Sequence, residues 1–277
     1  MAIKIETKRI RGLENALYRK GLDERSGDFF KLHQYKKGRL KGKYSIVLGD
    51  QEGHGWKVYW KAGRIRNLFT KLFRRGASLP EAMGVANWAL AGRNDFYERI
   101  ANKLKKRTFA PTQGAVTGIT YDPEKSKLSL VFAGGQPLLH FQFDKQSDSF
   151  KHKLLSPTRR GIALGMFESE YEPESPVALK KGVYIAHSDG TEFEITPERQ
   201  DATRGRIGST KVNQETFAWL VSEVLNARNH ETGTPLYHDG QGNLSIKMTD
   251  FVKKVRSKLD ALGEQTDDLT IFAFKKK

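Results

Sequence analysis

The feature of the sequence that most limits its fold is a pair of short apolar runs that each end in an aspartate and a tight turn. Residues 45–48 lead through one glycine to Asp50, and residues 183–187 lead through one serine to Asp189. Continuous apolar runs of this length between turn residues are typical of buried strands. Because strand ends and glycine turns place side chains at the rim of a sheet, both aspartates are candidate functional residues.

Two more aspartates stand directly before predicted strands. Asp28 precedes the apolar residues 29–32, and Asp267 opens the segment that leads into residues 269–274. Each Asp turn taken alone is most often only a turn. Carboxylates gathered at strand ends are the oxygen ligands that Mg²⁺ and Mn²⁺ prefer, and a pair of such ions can activate a water for displacement at phosphorus. The four positions together therefore predict a site for hard cations.

The rest of the chain alternates between blocks of strands and pairs of helices. Spacing and turn residues predict helices over residues 56–75, 79–104, 214–228 and 249–262, and strands over residues 115–121, 128–133 and 137–143. The Gly-Arg-Asn-Asp segment at residues 92–95 is expected to interrupt the second helix. This order favours two packed antiparallel sheets covered by helices. We predict one domain over residues 1–277, with residues 1–20 as an N-terminal arm or edge strand.

Composition narrows the class of protein. The 277 residues contain no cysteine, which excludes disulfides and thiol catalysis. The sequence shows neither a signal-peptide pattern nor an apolar run long enough to cross a membrane, so we expect a cytoplasmic protein without a membrane partner. The formal net charge of +16 suggests a nucleic-acid partner. The alternative interpretations are a solvated basic surface or electrostatic steering toward an acidic protein partner. Since the basic residues are scattered and form no known module, nucleic-acid binding is disfavoured.

Seven motifs occur in an order that is specific to one family. They are Gly27-Asp28-Phe29-Phe30, Gly49-Asp50-Gln51-Glu52-Gly53-His54-Gly55, Asp122-Pro123 with Leu128, Phe132-Ala133-Gly134-Gly135, Gly161-Ile162-Ala163-Leu164-Gly165, Ser188-Asp189-Gly190 and Asp267-Asp268-Leu269-Thr270. In these motifs the chain resembles the metal-dependent protein phosphatases of the protein phosphatase 2C type, in the bacterial SpoIIE-like branch. The resemblance covers about residue 25 to the end.

The resemblance implies an α+β fold, a four-layer αββα sandwich of two antiparallel sheets flanked by helices. It also implies an enzyme that hydrolyses phospho-Ser or phospho-Thr on a regulatory protein, such as an anti-sigma-factor antagonist, by means of a metal-bound hydroxide. The implied cofactors are two divalent cations, Mn²⁺ or Mg²⁺. Regulation would come from an activating partner. The alternative is a catalytically silent module of the same fold that acts by protein contact.

The resemblance also assigns roles to residues. Asp50 would bridge both cations, and the backbone carbonyl of Gln51 would bind one of them. Asp189 and Asp267 would complete the other position, and Asp28 would act through a water or as an outer ligand. In this sequence Gly135 replaces the usual His of its motif, a position that is not a metal ligand.

Two further residues have open interpretations. Arg25 could clamp the substrate phosphate, because a guanidinium fork matches phosphate oxygens, or it could be an exposed solvated side chain. His54 could be a general acid for the leaving oxygen, or a residue that packs at the start of the first long helix.

Overall fold

The structure is a computed structural model that describes residues 3–21, 26–51, 56–103, 113–156, 161–167, 169–195, 211–239, 241–263 and 267–277. The chain divides into two compact units. The six-stranded unit comprises Met1–Leu22, Leu138–Leu155 and Lys180–Lys277, and the five-stranded unit comprises Asp23–Pro137 and Ser156–Leu179. Each unit is an antiparallel sheet with a pair of helices.

The described strands and helices follow one another in chain order. The strands are β1 (Ile3–Glu6), β2 (Leu13–Lys20), β3 (Phe29–Gln34), β4 (Tyr44–Asp50), β5 (Ala115–Asp122), β6 (Lys127–Ala133), β7 (Leu138–Asp144), β8 (Ser149–Leu155), β9 (Val177–Ala178), β10 (Val183–His187), β11 (Phe193–Glu194), β12 (Lys211–Val212) and β13 (Leu269–Lys276). The helices are α1 (Trp56–Arg74), α2 (Leu79–Lys103), α3 (Gln214–Leu225) and α4 (Met248–Asp260), with a short 3₁₀ helix at Asp189–Thr191.

In the six-stranded unit the strand order is β1-β2-β13-β10-β7-β8, and neighbouring strands are antiparallel. Helices α3 and α4 bury apolar side chains at helical spacing, among them Phe217, Val221 and Phe251, in one core with Phe141 and Ile185 of the sheet. This burial is the main force that holds the helices to the sheet. The short pair β11 and β12 lies in the same unit.

In the five-stranded unit the strand order is β3-β4-β5-β6-β9, again antiparallel. Helix α1 buries Ile65, Phe69 and Phe73 at intervals of four residues, and these side chains form a core with apolar residues of α2 and the sheet. Helix α2 begins where Ser78 donates its backbone N–H and its hydroxyl to the Glu81 carboxylate, both at 2.7 Å. This reciprocal contact is a variant of the capping box.

Most predicted elements lie within a few residues of the observed ones. The prediction that residues 92–95 interrupt the second helix is wrong, because α2 runs without a break from Leu79 to Lys103. A single glycine inside a helix costs only about 1 kcal/mol, and the buried Leu90 and Ala91 just before it hold the helix by packing.

The N-terminal segment contains two strands. β1 lies at the edge of its sheet, and β2 lies between β1 and β13. The sequence hides β2 because Glu14 and Arg19 interrupt its apolar pattern. Glu14 accepts a hydrogen bond from the backbone N–H of Met248 at 2.9 Å and pairs with Lys275 at 3.4 Å, so its charge is satisfied within the fold.

Among the described helices, α2 included, none combines the length and the apolar character that crossing a membrane requires.

Candidate metal centre

Two predicted ligands lie at the same edge of the five-stranded sheet. β3 and β4 are antiparallel, with Phe29 opposite Gly49, so Asp28 just before β3 and Asp50 at the end of β4 share one strand end. Asp28 is buried, and its backbone N–H donates to the Ser26 hydroxyl at 3.1 Å. Asp50 is half-buried. The register thus brings the two carboxylates to one end of the sheet.

Gly49 is required beside Asp50. A Cβ at this position would collide with the ring of Phe29, which lies across the glycine. Phe29 is itself buried against Phe69 of α1, with ring centroids 6.4 Å apart. The aromatic core therefore fixes the path of the backbone into Asp50.

Gln51 follows Asp50 and is buried, with 2% of its surface exposed. Its side-chain nitrogen donates to the backbone carbonyl of Gln113, whereas its side-chain oxygen is buried and accepts no hydrogen bond from any described residue. A buried oxygen acceptor without a donor is rare and calls for a physical partner such as a water or an ion. Beside a half-buried carboxylate, this oxygen fits the surroundings of a hydrated hard cation.

The six-stranded unit has a second strand end of the same kind. Asp189 comes two residues after the end of β10, is exposed, and opens the 3₁₀ helix. Asp267 lies two residues before β13, the antiparallel neighbour of β10, and its Oδ1 accepts from the backbone N–H of Asp268 at 2.7 Å. Register therefore brings Asp189 and Asp267 to one edge of this sheet.

Ser188 ties this strand end together. Its backbone N–H donates to the carbonyl of Thr270 at 3.0 Å, and its hydroxyl accepts from the backbone N–H of Thr270 at 2.9 Å. The same hydroxyl lies 3.5 Å from the carbonyl of Asp268. Gly190 packs on that carbonyl so closely that a Cβ would collide with it. The segment that carries Asp189 is thus fastened to the segment that carries Asp267.

His187 lies under the same turn and was not singled out by the sequence. Its Nδ1 lies 3.0 Å from the carbonyl of Ser188 and 3.1 Å from the hydroxyl of Thr191. Burial lowers the pKa of His187 to about 4, so the ring is neutral at physiological pH. In the sequence, His187 stands at the end of a buried strand, directly before the Ser-Asp-Gly turn. That position alone does not distinguish a metal ligand from a residue that packs under the turn.

The remaining predicted site residues, Arg25 and His54, lie outside the described residues. In the ranges that are described, no three His, Cys, Asp or Glu side chains are gathered closely enough to hold a metal ion. The structure thus brings together Asp28 with Asp50, and Asp189 with Asp267, within their respective units. The full ligand set stays a prediction.

Comparison with known proteins decides the family. Residues 41–239, about seven tenths of the chain, match the family model described as stage II sporulation protein E (SpoIIE). The chain belongs to the SpoIIE family. The matched range of this family member contains Asp50, Gln51 and Asp189, whereas Asp28 and Asp267 lie outside it. No curated protein sequence matches the chain.

Solved structures share the fold of this SpoIIE family member at low sequence identity. The SiaA-PP2C domain of Pseudomonas aeruginosa has a TM-score of 0.65 at 16% identity, over 95% of this chain and 86% of that one. The phosphatase domain of SpoIIE from Bacillus subtilis, with a fragment of its regulatory domain, has a TM-score of 0.60 at 13% identity, over 99% of this chain and 70% of that one. RsbX in complex with magnesium has a TM-score of 0.58 at 11% identity, over 99% of this chain and 100% of that one. The predicted α+β class, with two antiparallel sheets flanked by helices, is confirmed.

Proposed function

We propose that this SpoIIE family member is a metal-dependent protein phosphatase that hydrolyses phospho-Ser or phospho-Thr on a regulatory protein. The observation that carries the proposal is a repeated strand-end arrangement. In the five-stranded unit, β4 ends at Asp50 and its antiparallel neighbour β3 begins just after Asp28. In the six-stranded unit, β10 ends just before Asp189 and its antiparallel neighbour β13 begins just after Asp267. Four carboxylates in two such pairs are an oxygen donor set suited to Mn²⁺ or Mg²⁺.

The residues have distinct tasks in this proposal. Asp50 would hold both divalent cations, the backbone carbonyl of Gln51 and the carboxylates of Asp189 and Asp267 would supply further oxygens, and Asp28 would act through a water or as an outer ligand. When bound, the cations supply Lewis acidity that activates a water and neutralises charge on the phosphoryl oxygens. The protein side chains bind and orient, and none of them is the nucleophile. Arg25 is the proposed contact to the substrate phosphate, with His54 as a second candidate.

The proposed substrate is a phosphorylated regulatory protein of the anti-sigma-factor-antagonist type, and the proposed place of action is the cytoplasm. SpoIIE from Bacillus subtilis, which shares this fold, is a cell fate determinant, and this similarity supports a signalling role. An activating partner that orders the metal ligands is part of the proposal. It is consistent with a structure in which no described group of three acidic or His side chains is already gathered.

Phosphate release from a phosphoserine peptide tests the proposal. With Mn²⁺ we expect turnover that EDTA abolishes and that Asp50→Asn and Asp189→Asn each lower by at least about a hundredfold, because each removes a charged ligand. Asp260→Asn, an exposed carboxylate at the end of α4, is the control and should leave the rate unchanged. Activity without metal, or activity that survives in Asp50→Asn, would refute the proposal.

The second candidate function is a catalytically silent module that acts by protein contact. It is favoured by the same observation that no described group of three potential ligands is assembled. Calorimetry with Mn²⁺ separates the two functions. Binding that Asp50→Asn abolishes supports the phosphatase, whereas no heat of binding at millimolar Mn²⁺, with or without the phosphoprotein, supports the silent module.

A further inference from the structure

Strand β8 forms one edge of the six-stranded sheet. It pairs with β7 through an unbroken register from Ser149 opposite Asp144 to Leu155 opposite Leu138. Phe150 is buried in the core, but residues 151–154 are exposed. An exposed strand edge is a template on which another extended chain can pair.

The outward direction of the backbone of β8 is fixed by one side chain. The amide of Asn226, which ends α3, accepts from the backbone N–H of Phe150 at 2.6 Å and donates to its carbonyl at 3.2 Å. Both backbone groups of Phe150 therefore point away from β7. Since the groups of an antiparallel strand alternate in direction, those of His152 and Leu154 point the same way. No described residue hydrogen-bonds to the N–H groups of these two.

The Asn226 contact shows what this edge accepts. An amide that gives one acceptor and one donor to a single residue reproduces the contact that a paired strand would make there. Beyond Phe150 no described residue continues this contact, so among the described residues His152 and Leu154 present the same backbone groups without a partner. Leu154 adds an exposed apolar side chain, with 39% of its surface accessible.

The other face of β8 is cationic. Lys151 and Lys153 lie beside a groove of about 280 Å³ that His140 also lines. Lys151 pairs with Asp144 at 2.5 Å, whereas no described acidic side chain pairs with Lys153. Burial lowers the pKa of His140, and the charges of Lys153 and Lys180 lower it further. The groove is therefore a place where an added negative charge is stabilised.

Charge decides between the occupants of this edge. If a second copy paired β8 with β8, lysines would face lysines across the new strand pair, and like charges directly opposite destabilise a sheet. Lysines on an edge strand also discourage unspecific pairing. They do not oppose a strand whose side chains on that face are acidic.

We propose that β8 binds an extended acidic segment of a partner protein as a seventh strand, through the outward backbone groups of His152 and Leu154. The segment alternates acidic residues, which face Lys151 and Lys153, with apolar residues, which lie on the Leu154 face. This binding needs neither a metal nor catalytic activity, so it stands apart from the proposed phosphatase function.

A peptide of alternating Glu and Val, with a fluorescent label, tests the proposal by polarisation with the full chain. We expect it to bind, and a peptide of alternating Lys and Val to show no binding. His152→Pro removes one outward N–H while leaving the pairing with β7, because proline is tolerated where the N–H of an edge strand faces solvent. This variant should weaken binding by at least about tenfold, whereas His152→Ala should stay within about twofold.

A second measurement keeps the protein unchanged in case His152→Pro does not fold. N-methylation of the Glu-Val peptide at alternate residues blocks either the amides that face β8 or those that face solvent. One methylation register should abolish binding and the other should preserve it. Equal binding of both registers, equal binding of the Lys-Val peptide, no binding of the Glu-Val peptide, or a dimer that β8 itself forms in light scattering would overturn the proposal.

Discussion

The strand end that carries Asp50 and the one that carries Asp189 are alike in layout but are held by different interactions. At Asp50, Gly49 packs on an aromatic ring, and the side chain of Gln51 reaches a backbone carbonyl. At Asp189, Gly190 packs on a backbone carbonyl, and Ser188 bonds to the neighbouring segment. A side chain can move aside when its neighbour grows, whereas the backbone at Asp268 leads directly into the paired strand β13 and is less free to move. The Asp189 end should therefore tolerate less change.

Replacing the two glycines tests this difference most strongly. In Gly190→Ala the new Cβ meets the carbonyl of Asp268, so the turn must move away from Asp267. We expect phosphatase activity to fall by at least about a hundredfold, because a displacement of about 1 Å can have that effect, and stability to fall by about 3 kcal/mol. Phosphate release and urea unfolding are the measurements.

Gly49→Ala is the matched change at the other end. Its Cβ meets the ring of Phe29, so we expect a loss of about 1–3 kcal/mol from overpacking. Phe29→Leu in the same chain should restore part of that loss by making room. If Gly49→Ala is the more damaging of the two glycine variants, or if Phe29→Leu gives no recovery, the contrast between the two strand ends is wrong.

The Ser188 hydroxyl gives the next largest effect. Ser188→Ala leaves the buried backbone N–H of Thr270 without its acceptor and loosens the segment before Asp189. We expect stability to fall by about 1–3 kcal/mol and the affinity for Mn²⁺ to fall by about fiftyfold, within the range for residues that orient ligands. Urea unfolding without metal and calorimetry with Mn²⁺ measure the two effects separately.

Ser188→Thr is the control, because it keeps the hydroxyl. Affinity for Mn²⁺ in this variant should stay within about threefold of the wild-type value. A loss of stability in Ser188→Ala with unchanged affinity for Mn²⁺ would mean that the hydroxyl only holds the sheet together and does not position Asp189.

The sequence predicted the places of these aspartates better than it predicted what holds them. Asp50 and Asp189 could be placed because an apolar run before a turn identifies a buried strand in local sequence alone. The contacts of Ser188 with Thr270 join residues that are 82 positions apart. Such contacts depend on the register between β10 and β13, and periodicity within one segment carries no information about register.

The same limit explains the missed elements. β8 contains three exposed charged or polar residues in a row, Lys151 to Lys153, so its alternation is hidden although it pairs fully with β7. Gln51 could be expected beside Asp50 from its motif, but the burial of its side chain follows from a contact with Gln113, far along the chain. Long-range pairing, and not local preference, decides both cases.

Gln51→Met tests the polar support at the Asp50 end. The change keeps the backbone carbonyl that is proposed to bind a cation, but it removes the side-chain oxygen that has no described donor. If that oxygen accepts from a water of the metal, the affinity for Mn²⁺ should fall by about tenfold, less than in Ser188→Ala. Calorimetry is the measurement. An unchanged affinity would leave the side-chain oxygen without a role in metal binding.

The two units also differ in how a helix is capped at its start, and this difference has a smaller expected effect on stability. Helix α2 is capped by a charge, because Glu81 accepts from Ser78 and Arg39, whereas α3 is capped by the neutral Asn213, which accepts from the N–H of Thr216 at 2.9 Å. Hydrogen bonds from the Ser78 backbone and hydroxyl, followed by that from Arg39, lower the pKa of Glu81 to about 2 from 4.5. The folded state therefore favours the ionised form.

This stabilisation is present above the unfolded pKa of 4.5 and is lost as the pH falls toward 2. Because Glu81 is exposed, we expect Glu81→Gln to cost only about 0.5 kcal/mol at pH 6, and this cost should shrink as the pH falls toward 3. Asn213→Ala should cost about 1 kcal/mol at both pH values, since an amide cap does not titrate there. Urea unfolding of both variants and the wild type at pH 6 and pH 3 measures the difference. A cost of Glu81→Gln that stays constant with pH would show that the carboxylate is not the group that holds the start of α2.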